Sequence, residues 1–185
     1  MKKNVCVLVA DGSEEMEVVI TVDVLRRAGI GVFLAGVGEG RLVTASRGVR
    51  IAPDGAWDPA EATRFDALVV PGGLGGVQTL RQDESVKQAV REFMQAGKIV
   101  ASLCAGPVVL HDAGVLAGKT YTSYPGNRGE LTGGTWVDQP VVRDGNLLTS
   151  QAAGTAFAFA LALAEVLAGR EMVRKVAAGM VFPFA

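Results

Sequence analysis

The chain has 185 residues, 49% hydrophobic and 20% charged, a balance that supports a substantial core and excludes a disordered chain. No shift in composition marks a boundary, so residues 1–185 read as a single domain. The net charge is −1, with Arg26, Arg27, Arg41, Arg47 and Arg50 interspersed with acids, which argues against a nucleic-acid surface; Cys6, Cys104 and the lone His111 have no spacing that suits zinc.

Val5 to Ala10 is a short β-branched run ended by Asp11-Gly12-Ser13-Glu14-Glu15. The stop comes too early for a secretory signal core, so the run is read as the first strand of a cytoplasmic protein. Glu14 to Arg27 carries Met16, Val19, Ile20, Val24 and Leu25 at helical spacing, with Gly29 closing the helix, and Gly31 to Val37 is a second strand. Arg41 to Ser46 and Val49 to Ile51 flank Arg47-Gly48 as a hairpin. Asp66 to Val70 is an apolar strand ending in Pro71-Gly72-Gly73, and Glu84 to Gln95 is an amphipathic helix. Lys98 to Leu103 forms another strand, from which Cys104 leads into a helix over Pro107 to Ala113. Strand segments follow at Thr120 to Ser123, Thr135 to Val137, Val141-Val142 and Leu147 to Thr149, then helices over Thr155 to Ala168 and Arg170 to Ala177. Ala156 to Ala164 is apolar but too short to span a bilayer before Glu165. Strands alternating with helices predict an α/β fold whose mostly parallel sheet is covered on both faces.

In such a sheet, ligands bind beyond the carboxyl ends of the strands. Three of these ends carry distinctive residues: Asp11 to Glu17, Pro71 to Gly76, and Cys104 to Pro107. A cysteine entering a helix meets unpaired N–H groups and the positive end of the helix dipole, which favours its thiolate. Cys104 is therefore either a nucleophile at a tight turn or a small buried hydrophobe, whereas Cys6, inside an apolar strand, reads as packing. Glu17 is either an acid complementing the dipole, as Glu14 and Glu15 are, or a carboxyl held protonated by its apolar neighbours and able to act as general acid or base. Gly72 and Gly73 form either a plain turn or a set of bare N–H groups facing an anion. Neither Gly73 to Gln78 nor Gly36 to Arg41 completes a dinucleotide fingerprint, and neither has the strand-to-helix context such a fingerprint needs. His111, about two helical turns beyond Cys104, is a helix-end residue too distant to serve as its base.

Several separated motifs, in order, resemble the ThiJ/PfpI superfamily, in the branch of the Parkinsonism-associated deglycase and its bacterial members. They are Asp11-Gly12-Ser13-Glu14-Glu15-Met16-Glu17, Val22 to Ile30, Ser46-Arg47-Gly48-Val49, Val70-Pro71-Gly72-Gly73, Leu103-Cys104-Ala105-Gly106-Pro107, and Leu147-Leu148-Thr149-Ser150 with Gly154-Thr155. The resemblance implies a flavodoxin-like three-layer sandwich that forms a homodimer. It further implies that Cys104 is a reactive, oxidisable cysteine contacted by a protonated Glu17. Gly72, Gly73 and the backbone of Ala105 would form an anion pocket, with Arg27 and Arg47 at the dimer interface beside it. Where some members have a histidine, this chain has Tyr124, which weakens a Cys-His protease reading.

The implied activity is glyoxalase or deglycase chemistry on methylglyoxal, glyoxal and their adducts, with Cys104 as nucleophile, Glu17 as proton shuttle and no cofactor, metal or glutathione. The same resemblance carries oxidative-stress protection and chaperone behaviour, so a non-enzymatic redox sensor built on Cys104 is the alternative, and a peptidase or amidase is the weakest reading. The expected partners are small aldehydes or glycated adducts and a second copy of the chain, without nucleic acid or membrane.

Overall fold

The computed structural model describes residues 2–38 and 42–183. In chain order it forms β1 (Asn4–Val9), α1 (Glu15–Arg27), β2 (Gly31–Gly36), β3 (Val43–Thr44), β4 (Arg50–Ile51), β5 (Gly55–Ala56), β6 (Ala67–Val70), α2 (Leu74–Gln82), α3 (Glu84–Gln95), β7 (Ile99–Leu103) and α4 (Pro107–Asp112). It continues with β8 (Thr120–Tyr121), β9 (Thr135–Trp136), β10 (Val141–Asp144), β11 (Leu147–Ser150), α5 (Ala156–Ala168) and α6 (Arg170–Gly179).

The main sheet has the order β10-β11-β7-β6-β1-β2-β5, and only the β10–β11 pair is antiparallel. Alternation along β1 sends Val5, Val7 and Val9 to one face and Cys6 and Leu8 to the other. The first face is covered by α1, α5 and α6 through Val18, Leu25, Phe159, Leu163 and Val173, the second by α2, α3 and α4 through Val77, Leu80, Val90, Phe93 and Leu110. This is the three-layer, flavodoxin-like sandwich expected. Strand order reverses at β1, which has β2 on one side and β6 on the other, so the loops after β1, β6 and β7 gather at the switch point where such sheets bind ligands.

Local chemistry explains most boundaries. The Asp83 carboxylate caps α3 by accepting from the N–H groups of Ser85 and Val86, and Val86, Ala89, Val90 and Phe93 then fall on one buried stripe. The predicted hairpin is present as β3 and β4, although Arg41, its expected first residue, lies outside the described residues. Segments β8 and β9 pair in parallel as a separate two-stranded ribbon. Two elements have no counterpart in the sequence reading: β5 with the 3₁₀ turn Pro59–Arg64, and α2.

The second of these corrects an expectation. Gly73 does stand between a strand, β6, and a helix, α2, so the context for a glycine-rich turn exists even though Gln78 leaves the fingerprint incomplete. Helical Gly75 and Gly76 hide α2 because each is a poor helix former. Their reason is tertiary: a Cβ on Gly76 would lie 2.4 Å from Ser13 Oγ and 2.7 Å from Ser13 N, so only bare backbone lets α2 approach the loop after β1.

Candidate active site

Cys104 sits between β7 and α4 with φ 59°, a left-handed conformation that non-glycine residues adopt at a cost of about 1–3 kcal/mol. Its peptide is clamped on both sides: its N–H donates to the Ser150 carbonyl at 3.0 Å, and its carbonyl accepts from the Tyr124 N–H at 2.8 Å. Behind it, a Cβ on Gly106 would meet the Val70 carbonyl at 2.4 Å and Ser102 Oγ at 2.5 Å. Strand and helix therefore meet in a sharp elbow that presents the half-buried thiol at the end of the sheet.

Glu17 reaches the same point from α1. The helix starts there because the Glu14 carboxylate accepts from the Glu17 N–H at 2.8 Å, and Glu17, one turn in, points inward and is fully buried. Its Oε2 accepts from the Gly72 N–H at 2.7 Å, while Oε1 is buried with no hydrogen-bond partner. Gly72 is the hinge between the two functional side chains: a Cβ there would lie 2.5 Å from Cys104 Cβ and 2.7 Å from Glu17 Oε2.

Burial pushes the Glu17 carboxyl up to about 7, against the opposing pull of hydrogen bonding to Cys104 and Gly72. Burial, then the adjacent Glu17 charge and its hydrogen bond, push the Cys104 thiol up to about 12; the N–H groups of Gly73 and Ala105 pull the other way and lose. This corrects the expectation of a thiolate favoured by a helix dipole. Helix α4 begins three residues later at Pro107 and spans only six residues, so its field is weak beside the desolvation. Below about pH 7 each group keeps its own proton; above it the pair holds one between them, and a Cys104 thiolate forms when Glu17 takes that proton.

A cavity of about 490 Å³ opens over the thiol, lined by Gly12, Glu14, Ser46, Arg47, Gly73, Leu74, Gly75, Cys104, Ala105 and Tyr124. Of the residues singled out from sequence, Cys104, Glu17, Gly72, Gly73 and Ala105 converge here, and Arg47 and Tyr124 stand at the wall. The Gly72 N–H is engaged by Glu17, so Gly73 and Ala105 are the backbone donors left facing the sulfur. Arg27 is not brought in: it ends α1, ten residues and about 15 Å along the axis from Glu17, paired with Asp23. His111 is outside the cavity, its Nε2 3.1 Å from Thr132 Oγ1. Cys6 is completely buried in the core, with its thiol raised to about 12 by burial alone.

Some contributors were missed from sequence. Glu15 was read only as a dipole partner, yet its carboxylate accepts from Ser46 Oγ and the Arg47 N–H, both at 2.8 Å, and so ties the β3–β4 hairpin to the cavity wall. Burial raises its pKa, but these bonds and its backbone contacts prevail and hold it below the ordinary glutamate value. Ser13, whose Oγ accepts from the Ala10 N–H at 3.0 Å, shapes the loop after β1, and Leu74 had no signal because its helix was hidden.

A flavodoxin-like sheet with a cysteine elbow and a buried carboxyl at its switch point defines the class of protein. The particular family follows from comparison with known proteins: the model of the DJ-1/PfpI family matches residues 3–166, and the chain belongs to that family, in its DJ-1 branch. Protein dj-1beta of Drosophila melanogaster is 44% identical over 186 residues, covering all of both chains. The crystal structure of that DJ-1beta superposes with a TM-score of 0.95 at 45% identity, again over all of both chains. The glutathione-independent glyoxalase DJ-1 of Schizosaccharomyces pombe is 35% identical over 190 residues, covering 97% of this chain and 99% of the other. Among the described residues, no helix is long and apolar enough to cross a membrane, and no cluster of His, Cys, Asp and Glu is arranged to hold a metal ion.

Proposed function

We propose that this protein converts small 2-oxoaldehydes such as methylglyoxal and glyoxal, free or as early adducts, to 2-hydroxy acids, with Cys104 as nucleophile and Glu17 as the proton carrier. The observation that carries the reading is the pairing, around Gly72, of a strained cysteine with a buried carboxyl poised near neutrality. A general acid and base works best with a pKa close to the operating pH. The glyoxalase named among the relatives supports the same direction.

The reaction runs as an internal redox change plus one water. As the Cys104 sulfur bonds to the aldehyde carbon its proton passes to the Glu17 carboxylate, the carbonyl π pair moves to oxygen, and Glu17 hands that proton on to the oxygen, giving a hemithioacetal. Glu17, now a carboxylate, removes the hydrogen from that carbon as a proton, and the electrons form an enediolate with the neighbouring ketone, to whose oxygen the hydroxyl proton of the hemithioacetal moves. Return of the proton to the second carbon gives a 2-hydroxyacyl thioester, in which the former aldehyde carbon is oxidised and the former ketone carbon reduced. Water then cleaves the C–S bond, releasing lactate and the thiol. The Gly73 and Ala105 N–H groups offset the charge that develops next to the sulfur.

The test is lactate formation from methylglyoxal by wild type and Cys104→Ser, followed with D-lactate dehydrogenase. Activity confined to the wild type is expected, and equal activity in both defeats the proposal.

A second reading is favoured by the backbone donors around the sulfur, which would also hold a Cys104 sulfinate with Glu17 as proton donor and make the site a peroxide sensor linked to oxidative-stress protection or chaperone behaviour. Mild peroxide followed by intact mass decides it: oxygen must enter at Cys104 ahead of Cys6 and the methionines. A peptidase or amidase has little support, because the chain's only histidine is outside the cavity. The proposal includes a homodimer, for which Met16 and Val19 on the outer face of α1 and Val49 beside it offer half-exposed apolar surface. It also includes a cytoplasmic location, in keeping with two unpaired cysteines.

A further inference from the structure

The mouth of the Cys104 cavity carries two large apolar side chains that the fold leaves in solvent. Leu74, at the first position of α2, is 68% exposed, and Tyr124, ahead of the 3₁₀ turn Pro125–Asn127, is 48% exposed. The remaining lining is small or polar: glycines, Ala105, Ser46, Glu14 and Arg47. Scattered exposed hydrophobes are ordinary. These two share one cavity with the nucleophile, and they come from different loops, the first after β6 and the second after β8.

Two further observations give them a purpose. The floor beneath the thiol is filled, since even one carbon added at Gly72 would collide with Cys104 Cβ and Glu17 Oε2. A substrate whose carbonyl carbon meets the sulfur must therefore direct its substituent outward, past Leu74 and Tyr124. Tyr124 is also held in place: its N–H is bonded to the Cys104 carbonyl, and its ring lies against Gly126, where a Cβ would be 2.7 Å from Cε1. A ring ordered before the ligand arrives loses little entropy on contact.

We infer that Leu74 and Tyr124 are specificity determinants that select carbonyl substrates bearing an apolar, planar substituent, such as aryl-substituted 2-oxoaldehydes, over unsubstituted glyoxal. This rests on the glyoxalase reading for its natural reaction, but the lip itself acts on any electrophile that reaches Cys104.

The experiment has two arms. The first compares kcat/KM for phenylglyoxal and glyoxal in wild type, Leu74→Ala, Tyr124→Ala and Tyr124→Phe. The second compares the alkylation of Cys104 by iodoacetanilide and iodoacetamide in the same proteins, read by peptide mass, with buried Cys6 as the internal control. Wild type should prefer the phenyl member in both arms. Each alanine variant should lower the phenyl-to-parent ratio about tenfold, the scale of a lost apolar contact in a binding pocket, while Tyr124→Phe retains it. Tyr124→Ala keeps the backbone N–H that clamps Cys104, so a changed ratio reports the ring. An alkylation ratio near unity in wild type, or one unmoved by either alanine, overturns the inference whatever the aldehyde activity. A phenyl preference in alkylation with no turnover of any aldehyde upholds the lip and defeats the glyoxalase reading alone.

Discussion

Replacing Glu17 by Gln preserves the side chain's shape and an acceptor for the Gly72 N–H while removing the titrating group. Glu17 titrates near 7 in the folded protein, against 4.5 for an ordinary glutamate, because burial disfavours its charge. A folded value above the unfolded one means that folding favours the protonated acid. Wild type therefore keeps this contribution in full below pH 4.5 and loses it as the pH rises through 7. At about 1.4 kcal/mol per pH unit, the displacement from 4.5 to about 7 is worth roughly 3 kcal/mol. Glutamine has no such dependence. Urea unfolding of both proteins between pH 4.5 and 8 should show E17Q gaining about 3 kcal/mol relative to wild type across that window. All other carboxylates cancel in the difference, and the Cys104 thiol, raised to about 12, titrates above the window. A difference between the two proteins that stays flat from pH 4.5 to 8 refutes the placement of Glu17 as a buried carboxyl with a raised pKa. The same variant should form no lactate, so the group that weakens the fold at pH 8 is the one the chemistry uses.

Iodoacetamide alkylation of Cys104 should rise through a step near pH 7 in wild type, where the pair gives up its first proton, and E17Q should lack that step; an identical profile in both separates the two groups. Cys104→Gly should be more stable than Cys104→Ala by about 1 kcal/mol, because only glycine is relaxed at φ 59°, and equal melting temperatures would remove the strain from the elbow. Gly72→Ala should abolish lactate formation and lower stability by about 1–3 kcal/mol through overpacking against Cys104 and Glu17, whereas wild-type activity in that variant contradicts the contact geometry. Ser13→Ala should cost about 1–3 kcal/mol in urea unfolding by leaving the buried Ala10 N–H without its acceptor, and an unaltered midpoint would show that the loop after β1 does not depend on it.

The layered α/β architecture was legible because β1, β2, β6 and β7 are short apolar runs ended by turn residues, and α1, α3, α5 and α6 carry helical periodicity. Helix α2 was not, since Gly75 and Gly76 serve contact with Ser13 rather than helix propensity. Segment β5 was missed because a two-residue edge strand, Gly55-Ala56, has no periodicity to detect. The site was half legible. Cys104 stood out at a strand end and Glu17 by its apolar neighbours, but each reading was balanced against an ordinary one until the motifs were taken together.

By itself the sequence determined which segments become strands and helices, which faces of them are apolar, and that Cys104 and Glu17 occupy the first residues beyond strand ends or within a helix's first turn. These are local properties, set by side chains within a few residues of one another. The tertiary structure alone decided that Gly72 brings the two side chains together, that the thiol is raised rather than lowered, and that Leu74 lines the same cavity as Tyr124. Each of those depends on the order β7-β6-β1, which joins loops some 30 to 90 residues apart in the chain, and on the desolvation that results when they close over one another.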